Sequence, residues 1–236
     1  MTINISGFTI DTQKRANEDS FDWKVLNDDL LIVAIADGVG GNAGGSIASA
    51  IATEFTIKTL EQSPDCEFIK IYDQITNRLQ QTSIENPVLS DMATTLTICV
   101  ISRKTVRFAH VGDTRIYHLR SNGIIQKTKD QTEVALLVDQ GILSQRKARK
   151  YSRRSVLVSA LSPHGDYDLT QGTFELEKFD RIVMLTDGAY NVLSKKEVRD
   201  KSVSANEINT LTKTLRDELI NKVPTDDATV ILIEQF

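Results

Sequence analysis

The sequence predicts an α+β sandwich, on three observations. Residues 93–125 alternate apolar and polar with period two, the signature of half-buried antiparallel strands. Residues 44–60 and 68–79 show helical spacing, two helices in succession between groups of strands. Paired helices set between hairpins do not suit a regularly alternating parallel sheet.

In chain order, residues 29–36 read as a buried strand. The segment 44–60 places Ile47, Ile51 and Phe55 four apart, and Phe68, Ile71, Tyr72, Ile75 and Leu79 form a second helical stripe that Asn86-Pro87 ends. Leu96, Ile98 and Val100, then Val106, Phe108 and His110, alternate with their neighbours and predict an antiparallel meander. Within it Ser121-Asn122-Gly123 is a hairpin turn in which Asn-Gly supplies positive φ. Ser194-x-x-Glu197 and Ser204-x-x-Glu207 read as capping boxes, the second opening a stripe of Ile208, Leu211, Leu215 and Leu219. Residues 229–234 form a last strand. No repeat or linker divides the chain, which predicts one domain over residues 1–236.

Composition narrows the function. The chain has 236 residues, 40% of them hydrophobic, enough for a sizeable core. Its longest apolar run, 30–36, is far short of the roughly 20 residues that cross a bilayer, and the first ten residues lack a signal-peptide pattern, so no membrane partner and a cytoplasmic location are expected. Cys66 and Cys99 lie far apart with no CxxC spacing, excluding a disulfide framework or thiolate zinc site. With three scattered histidines and 32 acidic residues, a bound metal would be a hard ion on oxygen ligands, magnesium or manganese. A net charge of −4 argues against a nucleic-acid partner.

Three apolar runs each end on an aspartate: 30–36 on Asp37, 106–111 on Gly112-Asp113, and 181–186 on Asp187. A fourth, 229–233, follows Asp226-Asp227. Aspartate is depleted in strands and costly to bury unpaired, so carboxylates at several strand rims imply convergence on positive charge. The loop Gly38-Val39-Gly40-Gly41-Asn42-Ala43 matches GxGxxA. A dinucleotide fold, however, needs a second parallel strand with an acidic ribose ligand about 20 residues on, and another helix follows here. No GK[ST] ends the loop as in a phosphate-binding P-loop, and Asp37-Gly38-Val39 lacks the DxD of haloacid dehalogenase phosphatases. A tight turn accounts for the glycines but not for the aspartate.

Asn17-Glu18-Asp19, Asp37-Gly38-Val39-Gly40-Gly41, Ala93-Thr94-Thr95-Leu96, Val111-Gly112-Asp113-Thr114-Arg115, Leu185-Thr186-Asp187-Gly188 and Asp226-Asp227-Ala228-Thr229 occur in the order and approximate spacing of the type 2C protein phosphatases. The chain resembles this family's bacterial branch over about residues 7–233. The resemblance implies a four-layer α-β-β-α sandwich, two central antiparallel sheets flanked by helix pairs, with a binuclear manganese or magnesium centre at one edge. By the same resemblance Asp37 bridges both ions, the Gly38 carbonyl ligates one, Asp187 and Asp226 hold the other, and Asp113 with Asp187 holds a weaker third. Glu18 and Asp19 resemble acceptors that orient water at the ions. Asp227 stands where many relatives have asparagine. The implied reaction is hydrolysis of phosphoserine or phosphothreonine on proteins by a water held between two ions, opposing a serine/threonine kinase, with the enzyme a monomer. Two other readings are a regulatory pseudophosphatase, which the retained aspartates disfavour, and a hydrolase of a non-protein phosphoester.

The chain departs from the family pattern at several positions. Lys14 stands where relatives carry a phosphate-gripping arginine, with Arg15 beside it, and either could serve. Val39 replaces a histidine proposed as general acid in animal members, which leaves the general acid unassigned. Asn191 replaces an aspartate used for a third metal in some animal members. Residues 141–161 resemble a flap beside the site, with Tyr151 and Ser155 in place of the usual histidine and asparagine. The basic run Arg146, Lys147, Arg149, Lys150, Arg153 and Arg154 invites a nucleic-acid reading, but reads better as a solvated helix or as a surface that steers phosphorylated or acidic substrates. His110 and His118 read as structural, Cys99 as core packing, and Arg115 as ordering its turn.

Overall fold

In a computed structural model, residues 3–12, 16–39 and 44–235 are described. Strands β1 (Ile3–Ile10), β2 (Asp19–Asn27) and β3 (Leu30–Val39) lead into helices α1 (Gly44–Gln62) and α2 (Phe68–Glu85). Strands β4 (Ala93–Thr94), β5 (Leu96–Ser102), β6 (Thr105–Val111), β7 (Arg115–Arg120) and β8 (Gly123–Gln126) follow. Next come α3 (Glu133–Asp139), α4 (Gln145–Ala148), β9 (Thr170–Glu175) and β10 (Arg181–Leu185). Helices α5 (Asp187–Tyr190), α6 (Lys195–Ser204) and α7 (Ile208–Lys222) precede β11 (Ala228–Gln235).

One antiparallel sheet has the order β1-β11-β10-β7-β8, the other β2-β3-β5-β6-β9, with β4 also paired to β3. The period-two rows assign the layers. On β3, Leu31, Val33 and Ile35 face the other sheet, packing with Ile116, Ile182, Met184, Ile231 and Ile233. Ile32, Ala34 and Ala36 face the opposite way, onto Ala48, Ala52 and Leu60 of α1 and Ile71, Tyr72 and Ile75 of α2. Across the molecule Val183, Leu185, Val230 and Leu232 pack against Leu211, Leu215 and Leu219 of α7. The architecture is the expected four-layer α-β-β-α sandwich, held by three apolar layers.

The structure corrects four readings of local sequence. The strands after residue 93 are not one meander: β5 and β6 join one sheet, β7 and β8 the other, and the chain crosses between them at Gly112-Asp113. Period two reports alternation within a strand but not which sheet the strand enters. At the β7–β8 hairpin Arg120 pairs with Gly123, so Ser121 and Asn122 form the turn, and the positive φ (51°) falls on Ser121, as at the first central position of a type II′ turn. Ser194 does form a capping box with Glu197, but Ser204 ends α6, and its hydroxyl donates to the Asp200 carbonyl at 2.9 Å. Glu207 is the N-cap of α7 and makes no side-chain cap. The buried face of α1 begins on small residues, Gly44, Gly45, Ala48, Ser49 and Ala52, before Ile57 and Leu60, while Ile47, Ile51 and Phe55 are only partly buried beside it. That face lets the helix start approach β3 closely.

Candidate active site

The inner row of β3, residues 31, 33 and 35, continues by parity to residue 37, so the residue after the apolar run lies on the row facing the second sheet. Asp37 stands directly opposite Asp19, the first residue of β2. Thr95, between β4 and β5, fixes the main chain there: Asp37 N–H donates to Thr95 Oγ1 and Thr95 N–H to the Asp37 carbonyl, both at 2.9 Å. The Thr94 hydroxyl donates to the same carbonyl at 3.1 Å. Gly38 meets the start of α1 so tightly that an added Cβ would lie 2.3 Å from the Gly45 carbonyl oxygen.

Gly112, with φ +106°, turns the chain from one sheet to the other and delivers Asp113; a Cβ there would also strike Thr95 Cγ2 at 2.4 Å. Asp187 opens α5 directly after β10, and Asp226 sits just before β11. Five strand ends therefore bring Asp19, Asp37, Asp113, Asp187 and Asp226 to one edge of the sandwich.

Neighbouring groups tie the two sheets together here. Asp19 Oδ2 accepts from the hydroxyls of Thr186 (2.8 Å) and Thr229 (2.7 Å), which flank β10 and begin β11. Glu18 is buried; its N–H donates to Asp227 Oδ2 at 2.9 Å, and its carbonyl accepts from Gly38 N–H and the Ser49 hydroxyl. Asp227 Oδ1 also accepts from the Thr12 N–H (3.1 Å) and hydroxyl (3.3 Å). The Asp227 carboxylate is thus engaged in joining β1 and β2 to β11. Asn191 donates to Asp187 Oδ2 at 3.4 Å.

Crowding sets the electrostatics. Burial pushes the Asp37 carboxyl well above the usual carboxylate range, and the charges of Asp19, Asp187, Asp113 and Asp226 push it further. Burial likewise raises Asp19 against the two threonine hydrogen bonds. Burial and Asp187 raise Asp113 to about 7, partly offset by a hydrogen bond from Tyr190. Asp187 rises to about 6 through burial and the charge of Asp226, while Arg115 and Arg154 pull it back. Among the described residues no three His, Cys, Asp or Glu side chains already form a closed cage for an ion. What points to cations is the donor set: crowded, mutually repelling carboxylate oxygens, partly or wholly buried and without thiol or imidazole, suit hard divalent ions.

The sequence-predicted residues Glu18, Asp19, Asp37, Gly38, Asp113, Asp187 and Asp226 lie at this edge. Lys14, Arg15 and the loop residues Gly40 to Ala43 lie outside the described residues. Thr186 and Thr229 stood within the quoted motifs without an assigned role, and nothing in the sequence pattern singled out Tyr190, whose partner Asp113 is 77 positions away. The flap segment 141–161 follows α3, and of its basic run only Arg146 and Lys147 fall in a helix. Arg149 and Arg154 line a cleft of about 660 Å³ shared with Arg115, Asp130, Tyr190 and Asn191. Elsewhere, His110 is buried against Thr97 and the Lys129 carbonyl, and His118 bonds Asp180. Cys99 is buried in the core, where burial raises its thiol pKa.

The model of the family Protein phosphatase 2C matches residues 10–223. Protein phosphatase PhpP of Streptococcus pneumoniae serotype 2 is 28% identical over 98% of this chain and 97% of its own length. The crystal structure of serine/threonine phosphatase Stp1 from Staphylococcus aureus shares the fold, with a TM-score of 0.92 at 22% identity, covering 100% of this chain and 96% of that one. The catalytic domain of the serine/threonine protein phosphatase PstP, solved in complex with two manganese ions, has a TM-score of 0.82 at 26% identity, covering 98% and 97%. Fold and site define a metal-dependent protein serine/threonine phosphatase that requires divalent metal. The chain belongs to the protein phosphatase 2C family, as a bacterial member.

Proposed function

We propose that this chain hydrolyses phosphoserine and phosphothreonine in proteins using two manganese or magnesium ions held by Asp37, the Gly38 carbonyl, Asp187 and Asp226, with a weaker third at Asp113 and Asp187. The observation that carries the proposal is Asp37: a partly buried carboxylate raised by desolvation and by four acidic neighbours is a poor choice for stability and a good one for ligating cations. When bound, divalent ions supply a nucleophilic water at neutral pH and neutralise phosphate oxygens.

The chain's own residues shape that chemistry. Asp19, steadied by Thr186 and Thr229, and Glu18, anchored through its backbone, accept hydrogen bonds from water entering the edge. Asp226 serves as the ligand of its pair, because Asp227 is engaged with Thr12 and Glu18. Lys14 or Arg15 grips the substrate phosphate. Arg149 and Arg154 at the cleft draw in phosphorylated or acidic protein segments. The protein works as one catalytic unit and as a monomer in the cytoplasm, reversing a serine/threonine kinase.

Asp37→Asn and Asp187→Asn test this directly on a phosphothreonine peptide with millimolar manganese. Both are expected to lose at least 100-fold in kcat while keeping the far-UV circular dichroism of the parent, an estimate of order of magnitude for loss of a metal-borne charge contact. Activity within a few-fold of the parent would remove these carboxylates from the mechanism.

A further inference from the structure

Asp113 differs from the other carboxylates of the edge in how it is held. It is 5% exposed, and its Oδ2 accepts a hydrogen bond from the Tyr190 hydroxyl at 2.7 Å. The Tyr190 ring is itself fixed: the Arg115 guanidinium carbon lies 3.5 Å from the ring centroid, a close cation–π stack. The plane of that guanidinium is set by Asp130, whose oxygens accept from Nε at 3.0 Å and Nη2 at 2.6 Å. Tyr117 and Gln126 complete the shell: Arg115 Nη1 donates to the Tyr117 hydroxyl at 3.2 Å, and Gln126 donates to Asp130 at 3.0 Å. An unbroken chain of contacts thus runs from the β7–β8 hairpin through a stacked ring to one carboxylate oxygen.

We propose that Tyr190 is a positioning residue for Asp113, clamped by Arg115, and that it sets the affinity of the weaker cation site. This rests on the reading of Asp113 as a cation ligand. The residue following Tyr190 is the neutral Asn191, which donates to Asp187 and contributes no charge to an ion. Asp113 therefore holds its rotamer through a neutral donor, which orients the carboxylate without competing for its charge. The arrangement is also stiff: a two-torsion aromatic side chain stacked on a bidentate arginine loses little further freedom when an ion arrives.

The test is a manganese titration of the purified protein, free ion followed by electron paramagnetic resonance and heat by calorimetry, for the parent, Tyr190→Phe, Asp113→Ala and the double variant. Tyr190→Phe keeps the ring on Arg115 and deletes only the hydroxyl. It is expected to weaken the weakest class of site by about 10- to 100-fold and leave the tighter sites unchanged. The double variant is expected to match Asp113→Ala, because the hydroxyl acts only through that carboxylate. Arg115→Lys, which keeps the charge but loses the fork and the plane, is expected to shift the same class of site by less. If Asp113→Ala loses that class while Tyr190→Phe titrates like the parent, the positioning role is wrong and the ligand assignment stands. A Tyr190→Phe protein that weakens all sites equally also overturns the role. An Asp113→Ala protein that titrates like the parent overturns the ligand assignment, and the role with it.

Discussion

His110 shows how one residue's surroundings decide its charge. Its Nε2 faces the Lys129 carbonyl at 3.2 Å, which only accepts, so the proton sits on Nε2 and Nδ1 accepts from the Thr97 hydroxyl at 2.8 Å. Burial lowers its pKa from 6.5 to about 4. The folded protein therefore holds His110 neutral where the unfolded chain would protonate it, and stability from this group is lost as pH falls from about 6.5 towards 4. The span corresponds to something on the order of 3 kcal/mol. Urea midpoints measured at pH 7 and pH 4 for the parent and His110→Gln are expected to fall further for the parent; parallel curves would refute the assignment. The structural role of His110 was legible from its place in an alternating strand. Tyr190 was not, because its meaning lies in Asp113 and Arg115, 77 and 75 positions away in sequence, and no local pattern encodes that meeting.

At the scale of the element, local signals held where the surroundings agreed with them. Residues 194–197 form their capping box, with Ser194 Oγ accepting from Glu197 N–H at 3.2 Å and Glu197 accepting from Ser194 N–H at 2.8 Å. The same letters at Ser204 and Glu207 do not, because α6 runs through Ser204 and buried Arg181 satisfies its end, donating to the Ser202 and Ala205 carbonyls. Ser194→Ala is expected to cost about 1 kcal/mol, a fall of about 2–4 °C in Tm, and Ser204→Ala to stay within about 0.5 kcal/mol. Thermal melts of the two variants distinguish the real cap from its sequence mimic. Strands β3, β5, β6 and β11 were legible from dense apolar runs. Strands β1, β2 and β9 show half-exposed or irregular burial, so their hydrophobic pattern is weak, and the ladder to a buried neighbour defines them instead.

For the whole molecule, the aspartates that close the inner layer represent, on the proposed function, stability given up for catalysis. Mutual repulsion among Asp19, Asp37, Asp113, Asp187 and Asp226 opposes the folded state until positive charge enters. Manganese is therefore expected to raise Tm in a concentration-dependent way, by about 2.7 kcal/mol of stability at 100 times the dissociation constant. Excess chelator should reverse the rise, and Asp37→Asn should largely abolish it. A Tm independent of manganese in the parent would show that cations do not bind the folded edge. Five short motifs made the aspartates of this edge readable in the sequence, since each lies at one end of a strand. What sequence could not convey is the crossing at Gly112, which decides that the β6 and β7 ends lie on facing sheets.

Among the described residues β1 pairs only with β11, and Asp227 fastens Thr12 and Glu18 from more than 200 positions away. During synthesis β1 must wait for the more than 200 residues that separate it from β11 before it finds this neighbour. A product that stops before Asp226 therefore leaves the first sheet without β11 and the edge without Asp226 and Asp227, and on the proposed function it is expected to be inactive towards phosphoproteins.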